Sequence, residues 1–89
     1  NKALEVKPDY SPAAANLSGI YFQQEEYQKA LDAAEKAIKL DPENGAAYVN
    51  RGNAREMLRD LDGACQDWSK ANELGNQTGK TYYAGNCGN

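Results

Sequence analysis

The chain has no histidine at all, and it carries a single tryptophan, a single phenylalanine, a single methionine and two cysteines. Without imidazole there is no side chain that titrates near neutrality as a ready base, and no histidine metal ligand. No Ser/His or Cys/His nucleophilic pair can be assembled. Two cysteines cannot by themselves complete a structural zinc site. An excess of positive charge is also missing: Lys and Arg number 10 against 13 Asp and Glu, for a net charge of −3 and a pI near 4.8. Phosphate backbones call for a clustered basic surface, so nucleic acid is not an expected partner. No apolar run is long enough to cross a bilayer, which excludes membrane insertion by a helix of this chain. The composition therefore predicts no enzyme and no cofactor. It suits a chain that binds peptides or proteins.

What is present is repetition. Sliding the sequence against itself by 34 residues lays Ala37 on Ala71 and on Ala3, Leu40 on Leu74 and on Val6, and Pro42 on Pro8. A period of that size marks stacked supersecondary units, each unable to bury its apolar face alone. This suits 89 residues, because a compact chain of that length buries only about 60 to 65% of its unfolded surface and has a thin core. Hydrophobic residues at 40%, charged residues at 26% and a mean hydropathy of −0.86 match a folded domain with a solvated surface. The first residues fall in the last third of a repeat, with no initiator Met or signal-like segment, so the register predicts a piece of a longer repeat protein.

Taken in order, residues 1–6 favour helix and Pro8 ends them. Ser11 followed by Pro12 reads as an N-cap and first helical residue, predicting a helix over 12–24. Ala14, Leu17, Ser18 and Tyr21 share one face of it. A second helix over 27–40 buries Tyr27, Ala30, Leu31, Ala34, Ala37 and Ile38. Its other side carries the acid-before-base pairs Glu25/Lys29, Asp32/Lys36 and Glu35/Lys39, a solvated face. Asn44-Gly45 lacks flanking strand alternation and reads as a turn between helices. Further helices are predicted over 46–58 and 61–74, the latter capped by Asp60 or Asp62 and stopped by Gly75. Beyond Gly75 the composition turns to Gly, Asn, Gln and Thr. Residues 80–87 predict only a weak helix, with Gly79, Gly85 and Gly88 against it and order falling toward Asn89.

The 34-residue pattern resembles the tetratricopeptide repeat, with small residues at its eighth and twentieth positions, alanine at its twenty-seventh and proline at its thirty-second. Counted from Ser11, one copy supplies Leu17, Ser18, Tyr21, Tyr27, Ala30, Ala37 and Pro42. Counted from Gly45, the next supplies Tyr48, Gly52, Leu61, Ala64, Trp68 and Ala71. The resemblance implies an all-α fold, a right-handed superhelix of antiparallel helix pairs. It implies repeats over 11–44 and 45–78, the end of a preceding repeat over 1–10, and a partial third repeat or frayed tail over 79–89. The chain departs from the pattern at Ala34, where an aromatic is usual, and at Arg51 and Arg55, where Leu and Tyr are usual.

In such an antiparallel pair Ser18 should face Ala30 and Gly52 should face Ala64, small residues that let the axes approach. Tyr21 should pair with Tyr27, and Tyr48 with Trp68. The same antiparallel geometry predicts a half-buried ion pair between Arg51 and Asp67 beside Trp68; the alternative is two independently solvated side chains. Between stacked repeats, Cys65 falls within about one residue of facing Cys87, which predicts a disulfide. The alternative is a buried small residue at Cys65 and a free thiol at Cys87. A disulfide would imply an oxidising, extracytoplasmic setting, periplasmic or secreted, and its absence a cytoplasmic one.

The resemblance places a peptide-binding groove on the concave face of the first helices. There it implies Ala15, Gly19, Phe22 and Gln23 from one repeat, and Ala46, Val49, Asn50, Asn53, Glu56 and Met57 from the next, with Lys80 and Tyr83 extending it. Phe22 and Met57 would offer adaptable apolar contacts and Asn53 a clamp on a peptide backbone; alternatively Phe22 and Met57 pack on a neighbouring repeat or chain. Members that hold a C-terminal carboxylate use a basic, Asn-rich clamp, of which only Asn50 and Lys80 have counterparts here. The expected function is a non-catalytic protein- or peptide-binding scaffold. The alternative is a spacer or self-assembly segment whose open ends pack on further repeats or on a second copy.

Overall fold

A computed structural model describes residues 11–87, and these form five α-helices with no strand: α1 (Ser11–Gln23), α2 (Tyr27–Leu40), α3 (Gly45–Met57), α4 (Leu61–Glu73) and α5 (Gln77–Asn86). The expectations for a helix tail over 1–6 and for fading order at 88–89 lie outside the described residues. Consecutive helices pack on one another, α3 also touches α1, and α5 also touches α3. This is an all-α helical repeat.

The caps follow from short polar side chains at the helix starts. The Asn44 side chain accepts from Ala47 N, Asp60 from Gly63 N, and Asn76 from Gly79 N, each satisfying an otherwise orphaned amide. Ser11 departs from its expected role. Helix α1 already includes it, and its hydroxyl donates to Ala37 O at 2.8 Å while accepting from Asn44 Nδ2 at 2.9 Å. The hydroxyl thus binds α1, α2 and the α2–α3 turn together. Turns after α1, α3 and α4 all pass through the left-handed region, at Glu25 (φ 64°), Arg59 (φ 70°) and Gly75 (φ 88°). Gly75 is the expected stop. Glu25 being off the helix also explains why Lys29 pairs with Glu26, at 3.7 Å, instead of with Glu25; Asp32 accepts from Gln28.

Alanine dominates the interior. Ala30, Ala34, Ala37, Ala47, Ala54, Ala64 and Ala71 are fully buried, and Trp68 is the one large side chain among the described residues with no exposure. On α1 the buried line is Ser11, Ala14, Ala15 and Ser18, spaced i, i+3, i+4, i+7. Leu17, expected on that line, lies about 100° around the helix from Ser18 and is 43% exposed. Ser18 faces Ala30 as expected, donating to its carbonyl at 2.7 Å.

Glycine is required at two close approaches. A Cβ on Gly52 would lie 2.7 Å from Trp68 Nε1 and 3.1 Å from Ala64 O. A Cβ on Gly79 would lie 2.5 Å from Ala71 Cβ and 3.0 Å from Trp68 O. Gly79 therefore serves α5 by letting it seat on α4, which the expectation of a weakening residue overlooked. The helix runs through it to Asn86 because Asn76 caps its start and α4 supports its side. Trp68 stacks on Tyr82 of α5, with ring centroids 5.3 Å apart, and the aromatic pair expected with Tyr48 is replaced by this one. Phe22, not Tyr21, meets Tyr27, edge-on at 5.3 Å. A disulfide joins Cys65 of α4 to Cys87 at the end of α5, with the Cα atoms 5.8 Å apart. Closing the loop between them, 22 residues in sequence, contributes about 3 kcal/mol in the chain-entropy model.

Candidate functional site

The first helices of the two pairs, α1 and α3, lie side by side. Ala14, Ala15, Ala37 and Ala47 form the shared apolar seam, with Ile38 against it. Across it Asn50 Nδ2 donates to Ala15 O at 2.8 Å. Beside this contact an open depression of about 530 Å³ is lined by Ala15, Asn16, Gly19, Ile20, Gln23 and Asn50. Small residues make it: nothing lies within 4 Å of where a Gly19 Cβ would stand. No lining side chain is ionisable, so the depression offers amide groups, aliphatic surface and backbone.

Among the residues expected for a groove, Gly19, Gln23, Asn50 and part of Ala15 come together here. Ala15 and Val49 are buried, at 4% and 6% exposure, and serve packing between helices more than contact with a ligand. The Asn53 Oδ1 accepts from Trp68 Nε1 at 3.1 Å, which leaves its Nδ2 group to face any ligand. Phe22 is half-buried against Tyr27. Ala46, Glu56, Met57 and Lys80 are exposed but do not line the depression. Tyr83 instead lines a separate cleft beside Cys65. Asn16 and Ile20 also line the depression and are not among the residues expected for a groove. Their signal was present, since 16, 19, 20 and 23 repeat the i, i+3, i+4, i+7 spacing of one helix face.

A second polar constellation lies between α3 and α4. Asp67, 2% exposed, accepts from Arg51 Nε at 3.0 Å and Arg51 Nη2 at 2.8 Å, and from Arg55 Nη1 at 3.2 Å. The predicted Arg51–Asp67 pair is thus present, and Arg55 joins it. The hydrogen bonds that Arg51 donates to Asp67 raise its pKa above the ordinary value; burial opposes this, and the charges of Asp67 and Glu35 add to it. A cation with a raised folded-state pKa contributes stability below its unfolded pKa and loses it only as pH rises through the folded value. For an arginine that range lies far above neutrality, so the pair is constant at physiological pH. Arg51 also sits over the Tyr48 ring at 5.6 Å. With both carboxylate oxygens of Asp67 engaged and two guanidinium groups bound to it, the cluster is a structural brace.

Comparison with known proteins agrees with the helical geometry. A family profile described as TPR repeat matches residues 20–58. Tetratricopeptide repeat protein 36 of Bos taurus is 35% identical over 81 residues, covering 91% of this chain and 38% of that protein. Tetratricopeptide repeat protein 6 of Homo sapiens is 37% identical over 57 residues, 64% of this chain and 11% of that protein. RNA polymerase II-associated protein 3 of Xenopus tropicalis is 32% identical over 73 residues, 82% of this chain and 11% of that protein. The chain therefore spans well under half the length of these relatives.

Proposed function

Because the chain is a segment of the tetratricopeptide repeat family, we propose that it is a non-catalytic scaffold module that binds a protein or peptide along the face formed by α1 and α3. The observation that carries this reading is the open depression between those helices, with the Asn50 amide at its edge and Gly19 at its floor. Gln23, Glu56, Met57 and Lys80 are exposed on the same first helices or on α5 and extend the contact surface. Repeat boundaries at 11–44 and 45–78, with 1–10 and 79–89 belonging to flanking repeats, complete the reading. The partner is proteinaceous, consistent with the acidic charge and the family.

Gly19 supplies the test. Replacing it with phenylalanine fills the depression without touching the core, because the space around its Cβ is open. Peptide-library selection on the unaltered chain, followed by titration of the selected peptide against Gly19→Phe, should show at least a tenfold loss of affinity with an unchanged or raised Tm. Equal affinity would place the ligand elsewhere. A second reading, a spacer or self-assembly segment, is supported by the apolar groups exposed at the two ends: Leu17 and Ile20 on α1, Tyr82 and Tyr83 on α5. It predicts a concentration-dependent change in sedimentation and no selected peptide.

A further inference from the structure

Helix α5 is short and has little to hold it. It has ten residues, including Gly79 and Gly85, and Gly79 is its one buried residue. Such a segment is marginal as an isolated helix. It packs on α4 and also touches α3, and the specific side-chain contacts that hold it include the stack of Tyr82 on Trp68, the seat of Gly79 on Ala71, and the Cys65–Cys87 bond at its far end. The bond is also within reach of solvent. A cleft of about 390 Å³ opens beside Cys65, lined by Gln66, Ser69, Lys70, Glu73 and Tyr83 as well as the cysteine itself.

We infer that the Cys65–Cys87 disulfide is a redox lock on α5, and that its reduction by a dithiol releases α5 from α4 and uncovers Trp68. The incoming thiolate attacks one sulfur of the pair, the S–S bond breaks, and the other sulfur leaves as a thiolate that takes up a proton. The second thiolate of the reductant then attacks the reductant's own sulfur in the mixed disulfide, closing the reductant's disulfide and expelling the protein sulfur as a thiolate that takes up a proton. Two cysteine thiols and one oxidised dithiol result, so two electrons and two protons pass from the dithiol to the protein. With the covalent tie gone, the end of α5 regains the freedom that the closed loop removed. Noncovalent packing on α4 and α3, with Gly79 as the one buried residue of α5, must then hold a helix of poor intrinsic propensity. Helices α1 to α4 keep contacts of their own without α5, because the Ala14, Ala15, Ala37 and Ala47 seam and the Arg51–Asp67–Arg55 brace lie among themselves. The release is therefore local. It does not depend on the groove having a ligand.

The chain contains a single tryptophan, which makes the test direct. Trp68 has no exposed surface while α5 is docked. Dithiothreitol should shift its emission to the red and make it quenchable by acrylamide. Amide exchange in residues 77–87 should accelerate roughly a hundredfold. Exchange in α1 to α4 should stay slow, and reoxidation should reverse both changes. The double variant Cys65→Ser/Cys87→Ser should show the reduced pattern without reductant, as a control for direct effects of the reagent. Unchanged emission and unchanged exchange on full reduction would overturn the lock, because α5 would then be held by its noncovalent contacts alone. Acceleration throughout α1 to α4 would overturn it equally, since the bond would then support the entire fold.

Discussion

The two helix pairs solve one packing problem in opposite ways. In the first, α1 and α2 are drawn together by hydroxyls: Ser11 to Ala37 O and Ser18 to Ala30 O, over a floor of alanines that includes Ala34. In the second, 34 residues on, Ser11 and Ser18 are replaced by Gly45 and Gly52, Ala34 by Trp68, and Ala33 by Asp67. The tryptophan fills the space that Gly52 leaves open, and Asp67 gathers Arg51 and Arg55 from α3. The difference teaches that the small position and the position facing it are one unit. Serine is compatible with alanine across from it, and tryptophan demands glycine.

The largest effect that breaks the contrast is at Trp68. Trp68→Ala should cost about 3 to 5 kcal/mol in denaturant unfolding, from lost burial plus the cavity left. Gly52→Ser in the unaltered background should cost about 1 to 3 kcal/mol through overpacking. Combining the two copies the Ser18/Ala34 arrangement into the second pair. The double variant should be more stable than the sum of the single effects, and strict additivity in the cycle would show that the two positions are independent.

Next in size is the charge brace. Asp67→Ala leaves Arg51 and Arg55 facing each other without their shared partner, in a setting where only about a fifth to a quarter of each side chain is exposed. Destabilisation of about 2 to 4 kcal/mol is expected, somewhat below a fully buried pair because of that exposure. Asp67→Ala with Arg51→Met should recover part of the loss, and zero coupling in a chemical-denaturation cycle would show that the two side chains do not brace the pair.

Smallest is the hydroxyl of the first pair. Ser18→Ala removes one hydrogen bond to a carbonyl, and should cost about 1 kcal/mol or less. Its counterpart Gly52→Ala inserts a comparable methyl and should cost more, because Trp68 stands in the way. Equal Tm shifts for these two variants would erase the distinction between the pairs.

Much of this architecture can be read along the chain because it is local. The 34-residue period, the Asp60 cap, the Gly75 stop and the small residues Ser18, Ala30, Gly52 and Ala64 each act within a turn or across one antiparallel pair, where spacing implies position. The Arg51–Asp67 contact was legible for the same reason. The candidate groove was legible only in part. Helical spacing identified which residues share a face, but it did not say that Ala15 and Val49 would be covered by a neighbouring helix, or that the Asn53 side-chain oxygen would be taken by the Trp68 indole.

The sequence by itself determined the helices, their antiparallel pairing and the residues at the close contacts, since these follow from periodicity, capping and side-chain size. Tertiary structure decided the rest: the third partner Arg55 at Asp67, the turning of Leu17 to solvent, the stacking of Tyr82 on Trp68, and the use of Gly79 as a seat for α5. Each of these depends on the rotation of one helix against another, by a few tens of degrees. That rotation is set by all the side chains in the interface together, and no single stretch of sequence encodes it.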